Sequence, residues 1–448
     1  MKGRPTLAGG GSVAKVVETE DHKQVTMIIV GAGQRGQTYA RYALEHPTLS
    51  KVVGVAEPRP HRRNLMKKTY NLPDDMVVAD WEELLAKGRV ADAVVIGTLD
   101  QMHAPQVAAF SKLGYDILCE KPMAVSIADC VKMTKEVKDA GSIFGVGHVL
   151  RYSPFNQAVK KIIDSGALGD IVNIQHIEPV GDEHFAHSFV RGNWHKESDT
   201  SFALMTKCCH DIDIVSFYLS GLVPKRVSSF GSLFQFNKAK KPKEAGNARR
   251  CLDCAYEPKC TWSAKKIYLQ PLTTDDQHWA KLFVDADVLD IENVTDALNK
   301  TNYGSCVYET DNDVVDHQVV NVEYDGGVTA NITMSAFTEA ECERSTRIHG
   351  TKGELIGDMT SFTVFDFLTR TKTVHNPPLQ GGYHGGGDIG LSKAFVEAVA
   401  RKDQSKLGVT PDEVLNSHLL VFAGETARKQ GTVVNFEEFK KEALASKA

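Results

Sequence analysis

The chain lacks the features that mark membrane-spanning, nucleic-acid-binding and disulfide-stabilised proteins. No apolar run among its 448 residues approaches the length that crosses a bilayer. Its net charge of −5 argues against nucleic acid or an anionic membrane as the main partner. Nine cysteines, an odd count at irregular spacing, favour reduced thiols and a cytoplasmic location. Residues 1–24 have no apolar core of a secretory signal, and we interpret them as a disordered leader.

The first informative pattern is a glycine-rich turn between a strand and a helix. Val25 to Val30 is apolar and partly β-branched, as expected for a strand buried on both faces of a parallel sheet. It leads directly into Gly31-x-Gly33-x-x-Gly36, and Gln37 to Glu45 then has a helical pattern. In this context the first glycine permits a tight turn, the second leaves room for a pyrophosphate, and the third allows close packing. The stretch therefore predicts a dinucleotide-binding site.

An acidic residue follows the second predicted strand. Lys51 to Ala56 ends at Glu57, about 20 residues after the glycines, where an acid binds the ribose hydroxyls of the dinucleotide. A carboxylate there opposes a 2′-phosphate, although Arg59, Arg62 and Arg63 stand close enough to accommodate one. On that charge argument we expect NAD rather than NADP.

Strands and helices continue to alternate as far as residue 147. Short apolar strands are predicted at 76–78, 93–96, 115–119 and 143–147, with helices between them. This order predicts a doubly wound parallel sheet, which binds its ligand at the carboxyl ends of the strands. The predicted cofactor-binding residues lie there: Gly31, Gly33, Gln34, Arg35, Gly36, Glu57, Arg59, Thr98, Asp100, His103, Glu120, Lys121 and His148.

The pattern changes after Arg151. Helices are predicted at 153–165 and 201–219, and strands at 171–178, 226–236, 314–324, 328–337, 347–350 and 361–368. We therefore predict an α/β nucleotide-binding domain over 25–150 and an α+β domain over 151–388, built on a large, mostly antiparallel open sheet. A cysteine-containing insertion is placed near 237–285. Residues 389–448 are predicted to form helices that pack back on the body.

Several motifs together resemble the Gfo/Idh/MocA oxidoreductases. They are the glycine turn, Glu120-Lys121-Pro122, residues 147–154 (GHVLRYSP), His210 with Asp213, residues 350–354, and residues 385–388. The resemblance implies an N-terminal Rossmann domain, a nicotinamide cofactor, and a C-terminal open sheet that often builds the oligomer interface. It also implies a sugar, an inositol or a derivative as substrate, and we expect a homodimer or homotetramer.

The same resemblance implies a catalytic lysine and a catalytic histidine, at Lys121 and His210. Many relatives carry an aspartate four residues before that histidine, whereas this chain has Thr206 there and Lys207 beside it. Oxidation of an alcohol needs a base for the hydroxyl proton and a cation for the developing alkoxide. Helical spacing places Lys207, His210 and Asp213 on one face. We therefore add Lys207 as a third catalytic candidate and expect Asp213 to orient the imidazole of His210 or to form a separate salt bridge.

A polar and aromatic segment supplies the candidates for substrate binding. Polyol recognition needs several hydrogen-bonding groups and usually an aromatic platform. The predicted loop 181–195 supplies His184, His187, Arg191, Trp194 and His195, of which two or three are expected to be ordinary surface groups. Arg151, Tyr152 and Asp211 complete the predicted set. Arg191 is also suited to a carboxylate or sulfonate on the substrate.

Cysteines of the insertion suggest a metal site. Cys251-x-x-Cys254 and Cys260 supply three of the four thiolates of a structural zinc, with Cys306, His278, Cys208 or Cys209 as candidates for the fourth ligand. Free buried thiols explain the same residues equally well.

These patterns leave three functions open. The first is hydride transfer between nicotinamide and a hydroxyl-bearing carbon of a sugar, an inositol or a derivative. The second is an NAD-dependent glycosidase that oxidises its sugar transiently at C3, eliminates the aglycone and reduces the product back. The third is a non-catalytic NAD-binding regulator, which the presence of both Lys121 and His210 disfavours.

Overall fold

The computed structural model describes residues 23–274, 277–286, 288–380 and 384–445. Residues 1–22 of the predicted leader lie outside this range. No helix within it is long and apolar enough to cross a membrane.

The first sheet has six parallel strands. Its strands are β1 Val25–Val30, β2 Ser50–Ala56, β3 Val77–Val78, β4 Ala93–Ile96, β5 Asp116–Cys119 and β6 Phe144–Val146. Its helices are α1 Gln34–Glu45, α2 Pro60–Tyr70, α3 Trp81–Leu85, α4 His103–Lys112 and α5 Ile127–Ala140. The strand order β3-β2-β1-β4-β5-β6 confirms the predicted doubly wound Rossmann sheet. Its edge at the carboxyl ends of the strands is therefore where a dinucleotide binds.

Local capping signals account for the helix boundaries in this half. Asp80 accepts from the backbone N–H of Glu82 at 3.1 Å, and the Glu83 side chain accepts from the N–H of Asp80 at 3.0 Å. Ser126 accepts from the N–H of Asp129 at 3.1 Å at the start of α5. Such side chains satisfy N–H groups that the helix leaves unpaired.

The second sheet has nine strands and is mostly antiparallel, as predicted. Its strands are β7 Ile171–Pro179, β8 Pro224–Ser232, β9 His317–Tyr324, β10 Thr329–Ser335, β11 Ser345–Gly350, β12 Gly353–Gly357, β13 Phe362–Asp366, β14 Lys372–His375 and β15 Val434–Asn435. The order is β14-β13-β12-β11-β7-β10-β9-β8-β15, with β7 and β10 parallel. Strands β12, β14 and β15 were not predicted.

The helices of the second half depart from the prediction at two places. They are α6 Pro154–Asp164, α7 Asp182–Phe185, α8 Ala203–Thr206, α9 Cys209–Tyr218, α10 His278–Phe283, α11 Ile291–Lys300, α12 Gly387–Arg401, α13 Pro411–Gln430 and α14 Phe436–Ala445. The single helix predicted over 201–219 is two helices, interrupted at Lys207 and Cys208. Residues 181–195, which the sequence predicts as a loop, instead begin with α7 and continue into a π-helix, Ala186–Arg191.

The C-terminal helices join the two sheets. Helix α12 packs against α1, and α13 packs against α5, α9 and β8. The insertion between β8 and β9 runs from 233 to 316 and is longer than predicted. Arg62 of α2 donates to the carbonyl of Leu282 in α10 at 3.0 Å, so the insertion reaches the nucleotide-binding domain.

Candidate active site

The glycine turn forms a cradle with open space at its centre. Gly31 has a φ of +87°, and a Cβ there would lie 2.7 Å from the carbonyl oxygen of Gly97. A Cβ on Gly36 would lie 2.0 Å from the carbonyl oxygen of Gly31, whereas one on Gly33 would meet nothing nearer than Arg62 Nη1 at 3.7 Å. Two glycines are therefore required by packing, and the third leaves the approach that a pyrophosphate needs. Helix α1 begins at Gln34 without a side-chain cap, so its N–H groups are available to an anion.

Glu57 is buried and fixed beside this cradle. Its carboxylate accepts from the N–H groups of Ala32 at 2.8 Å and Arg59 at 3.1 Å. Arg63 donates to the carbonyl oxygens of Glu57 at 2.5 Å and Pro58 at 3.0 Å. Since each carboxylate oxygen keeps a second lone pair, Glu57 remains able to accept from ribose hydroxyls.

Two of the predicted cofactor-binding residues, Arg35 and His103, make side-chain contacts within the protein. Arg35 binds Glu120 at 2.6 Å and Asp388 at 2.5 Å. His103 is fully buried between the carbonyl oxygens of Pro122, at 2.9 Å, and Thr98, at 3.3 Å. Both side chains connect segments that are distant in the sequence. Thr98 donates its hydroxyl to Gln106 at 2.7 Å.

Lys121 is anchored across the two domains. Its Nζ donates to the carbonyl oxygen of Thr206 at 2.6 Å and lies 5.7 Å from the Trp194 ring centroid. Thr206 ends α8, so its carbonyl oxygen accepts no hydrogen bond within that helix and is available to Lys121. The indole of Trp194 in turn donates to Asp100 at 2.9 Å, and burial raises the pKa of that carboxyl group. Asp100 therefore positions Trp194, which positions an aromatic face against Lys121.

His210 is a buried imidazole with an unsatisfied nitrogen. Its Nδ1 has no hydrogen-bond partner among the described residues. The ring lies 6.2 Å from that of His148 and 5.3 Å from that of His384, between centroids. Burial, and then the charge of Lys121, lower the pKa of His210 well below its usual 6.5. The imidazole is consequently neutral at physiological pH and competent to accept a proton.

His384 was missed by the sequence analysis. Its Nδ1 lies 3.1 Å from Asp388, the same carboxylate that binds Arg35. The only sequence signal near it was the glycine run 385–387 before Asp388, which does not distinguish a histidine facing His210 from a surface residue.

We expected Asp213 either to orient the imidazole of His210 or to form a separate salt bridge, and the structure shows the salt bridge. It forms a two-point ion pair with Arg151 at 2.5 and 2.8 Å and lies 3.1 Å from His148 Nδ1. Burial raises the pKa of Asp213, but Arg151 and His148 outweigh it and hold that pKa well below its usual range. Asp213 therefore positions His148 and neutralises Arg151.

Lys207 stands at the junction of α8 and α9, so the spacing within one continuous helix that paired it with His210 does not apply. Its Nζ lies 2.8 Å from Cys342 Sγ and 3.4 Å from Glu178. Burial lowers the pKa of Lys207, but Cys342 and Glu178 more than offset that effect and raise it. Lys207 is thus a permanent cation. Cys342 also lies 3.5 Å from His184 Nδ1, and neither Cys342 nor Glu178 was predicted.

Other predicted substrate-binding side chains are occupied by structural contacts. Arg151 is held by Asp213, and Tyr152 donates to the carbonyl of Leu407. Asp211, fully buried, lies 2.9 Å from His176 and 3.0 Å from Arg344, which lower its pKa against the effect of burial. These contacts favour positioning roles for Arg151, Tyr152 and Asp211.

The polar and aromatic segment divides in the same way. Arg191 donates to the carbonyls of Ser305 and Trp262 and to Cys251 Sγ, and His195 contacts Gly192 and Asp311. His187 lies against Trp279 and Tyr303, with centroids 4.5 and 4.8 Å apart, and Tyr268 at 3.1 Å. Trp194, in contrast, faces Lys121, and His184 contacts Cys342, which binds Lys207.

The cysteines show no metal site in the described part of the chain. All nine thiols are free, and no group of three or more potential ligands there is arranged to hold an ion. The segments of Cys251 and Cys306 do lie together, since Cys306 N–H donates to the carbonyl of Arg249 and Cys251 N–H to that of Gly304. The geometry nevertheless gives the zinc hypothesis no support.

Two family matches account for nearly the whole described chain. The NAD-binding Rossmann fold of the oxidoreductase family matches residues 25–148, and its C-terminal alpha/beta domain matches residues 160–436. The chain belongs to the Gfo/Idh/MocA oxidoreductase family. The resemblance noted in the sequence is therefore confirmed, with an NAD-binding Rossmann domain at its N-terminus.

Individual relatives are distant. The "Putative oxidoreductase YteT" of Bacillus subtilis is 24% identical over 361 residues, covering 75% of this chain and 80% of that protein. A 2,7-anhydro-N-acetylneuraminate hydratase of Escherichia coli is 28% identical over 203 residues, covering 45% of this chain and only 51% of the enzyme. A levoglucosan dehydrogenase solved with NADH and levoglucosan shares the fold, with a TM-score of 0.68 at 16% identity over 92% of this chain and 100% of that one.

Proposed function

We propose that this Gfo/Idh/MocA oxidoreductase transfers a hydride between NAD and a hydroxyl-bearing carbon of a sugar, an inositol or a derivative of one. The observation that carries the proposal is that Lys121, at the carboxyl end of β5, binds the carbonyl of Thr206 four residues before His210 and faces the Trp194 ring. A cation, a base and an aromatic platform are what alcohol oxidation on a carbohydrate requires.

The roles follow from the local chemistry. NAD, when bound against Gly31, Gly33 and Glu57, supplies the hydride acceptor. His210 takes the hydroxyl proton, because burial keeps its imidazole unprotonated. Lys121 stabilises the alkoxide that develops on the same oxygen, and its bond to Thr206 holds it in place without side-chain reorganisation.

The arginines beside Glu57 support NAD over NADP. Arg62 and Arg63 donate to backbone carbonyls, at 3.0 Å to Leu282 and 2.5 Å to Glu57. A 2′-phosphate would therefore meet the Glu57 carboxylate with two of the three nearby cations already engaged. The expected result is a much lower KM for NAD than for NADP in the same assay.

The open face of the second sheet supports an oligomer. Ile177 and Phe230 project from it with 43% and 70% of their surface exposed. Such residues alternate along β7 and β8 with buried ones, as in a sheet face awaiting a partner. We propose a homodimer or homotetramer, and Phe230→Glu should shift the mass measured by sedimentation toward the monomer.

The direct test is a panel of inositols, aldoses and anhydrosugars, scored by the absorbance of reduced nicotinamide. His210→Asn and Lys121→Met should each lower turnover by about 10²-fold or more, and His210→Asn should leave NAD binding intact. Lys138→Ala, at an exposed salt bridge with Asp412, serves as the control. Unchanged turnover in both active-site variants would refute the assignment.

A second candidate uses the hydride only transiently. The hydratase relative and the second polar group, in which the cation Lys207 contacts Cys342 and Cys342 contacts His184, favour elimination from an oxidised sugar followed by reduction back. Such an enzyme converts its substrate with no net change in NADH and incorporates solvent deuterium into recovered product. A dehydrogenase forms NADH in proportion to substrate. A protein that binds NAD but does neither with the whole panel would instead be a non-catalytic regulator.

A further inference from the structure

A cavity of about 650 Å³ lies apart from the glycine cradle, between the end of α9, the start of β8 and the helices α13 and α14. Its size falls within the range of small-molecule sites in proteins. Apolar side chains form most of its wall: Leu222, Val223, Leu420, Phe436 and Leu444. Of the candidate site residues, Arg151 alone contributes to its lining.

The charges that line this cavity do not cancel locally. Arg151 is neutralised by Asp213. Glu437 is paired with Lys225 at 2.8 Å, and Glu413 accepts from Thr410 in the capping box of α13. Lys225 therefore offsets the charge of Glu437, whereas the hydrogen bonds to Glu413 leave its negative charge in place.

Two cations remain. Lys440 and Lys441, adjacent on α14, also line the cavity. Among the described residues neither ammonium lies within salt-bridge distance of a carboxylate, although Glu437 stands one helical turn before them on α14. An apolar chamber with two unpaired ammonium groups complements a ligand with an apolar body and an anionic head.

We propose that this cavity binds an amphipathic monoanion, namely a straight-chain carboxylate of medium length. The apolar wall takes the alkyl chain, and Lys440 and Lys441 take the carboxylate. The inference does not depend on the proposed function, because the cavity shares no residue with the cofactor cradle.

The position of Arg151 connects this cavity to the active site. Its guanidinium binds Asp213, and Asp213 contacts His148, which lies edge-on to His210. A ligand that contacts Arg151 is thus two side chains away from His148. Because a ligand at Arg151 lies this close to the active site, the test measures its binding directly rather than through turnover.

The test is isothermal titration calorimetry of the full-length protein with decanoate, which is kept below its critical micelle concentration. Decanoate should bind at least tenfold more tightly than butyrate, which lacks the chain, and than 1-decanol, which lacks the charge. The double variant Lys440→Glu with Lys441→Glu should weaken decanoate binding at least tenfold. Lys135→Glu with Lys300→Glu, the same change of charge at two exposed helix positions away from the cavity, should not.

A second variant tests the cavity itself. Ser220 lines the mouth and is exposed, so Ser220→Trp should fill the space and abolish decanoate binding without changing NAD affinity or the unfolding temperature. Equal binding of decanoate and 1-decanol, or decanoate binding that survives Ser220→Trp, would overturn the proposal. An absence of decanoate binding to the wild type would overturn it as well. If, in that case, Ser220→Trp lowers the mass measured by sedimentation, the cavity is an interface between copies of the chain.

Discussion

The ammonium of Lys121 and the backbone carbonyl of Thr206 are joined by a 2.6 Å hydrogen bond that spans the two domains. Lys121 follows β5 of the parallel sheet, and Thr206 ends α8 in the second domain. The interruption after Thr206 frees its carbonyl and starts α9, which carries His210. One break in a helix therefore places both groups that the proposed reaction needs.

The pH profile of turnover should report the lowered pKa of His210. A base acts when deprotonated, so turnover should stay flat as pH falls from 8 to the usual imidazole pKa of about 6.5 and decline only below it. The charge of Lys121 contributes to this lowering, so Lys121→Met should move the decline to higher pH as well as reduce turnover. The measurement is kcat against pH for both proteins. A wild-type decline centred at or above pH 7 would contradict the assignment of His210 as the base.

The two glycines Gly33 and Gly36 should behave differently when each is changed to alanine. Gly36→Ala brings a Cβ to 2.0 Å from a rigid backbone oxygen, so it should destabilise the domain or prevent folding. Gly33→Ala meets only the end of Arg62 at 3.7 Å, so the fold should survive while NAD affinity falls by about tenfold or more. Circular dichroism and NAD titration separate the outcomes. If Gly33→Ala binds NAD normally, the pyrophosphate does not approach at this position.

Removing the charge of Asp213 should cost far more stability than removing that of Asp412. Asp213→Asn leaves Arg151 buried without a counter-charge, and breaking such a pair costs about 3–5 kcal/mol. Asp412→Asn breaks an exposed pair with Lys138, worth about 0–1 kcal/mol. The free energy of unfolding in urea measures both. Equal losses would show that the Arg151–Asp213 pair contributes little to folding.

How far the sequence predicts this protein depends on the range of the interactions involved. β1, the glycine turn and Glu57 follow from nearby residues, because strand pattern and turn chemistry are local, and the structure agrees with them. The split at Lys207 was not predictable in the same way, since the 201–219 segment has a helical pattern throughout. Its interruption is accompanied by contacts with Lys121, Glu178 and Cys342, all distant in sequence.

The same distinction explains the binding residues. Arg35 and Asp211 are polar residues at the right positions for ligand contact, and a pattern of single residues cannot show that Glu120, Asp388 or Arg344 will bind them first. Partners of buried charges are set by tertiary packing, so the sequence identified the region of the site better than the role of each side chain.

Buried histidines should make the protein less stable as pH falls below about 6.5. His418 donates from Nδ1 to the carbonyl of Val414 and accepts at Nε2 from the N–H of Met123, both at 3.0 Å, so the folded state holds it neutral. Burial lowers the pKa of His418, and likewise that of His187, to about 3 from 6.5. Between those values the unfolded chain binds the extra protons, so stability rises with pH across this window and is lost as pH falls.

At pH 5.5 each such histidine should cost about 1.4 kcal/mol relative to pH 7.5, since one pKa unit is about 1.4 kcal/mol. The measurement is the free energy of unfolding in urea at intervals from pH 7.5 to 5. His418→Gln should reduce the slope of that free energy against pH by about one proton, whatever it does to stability at pH 7.5. Identical slopes for the wild type and His418→Gln would contradict this prediction. They would mean that His418 binds a proton in the folded state despite its two hydrogen bonds to the backbone.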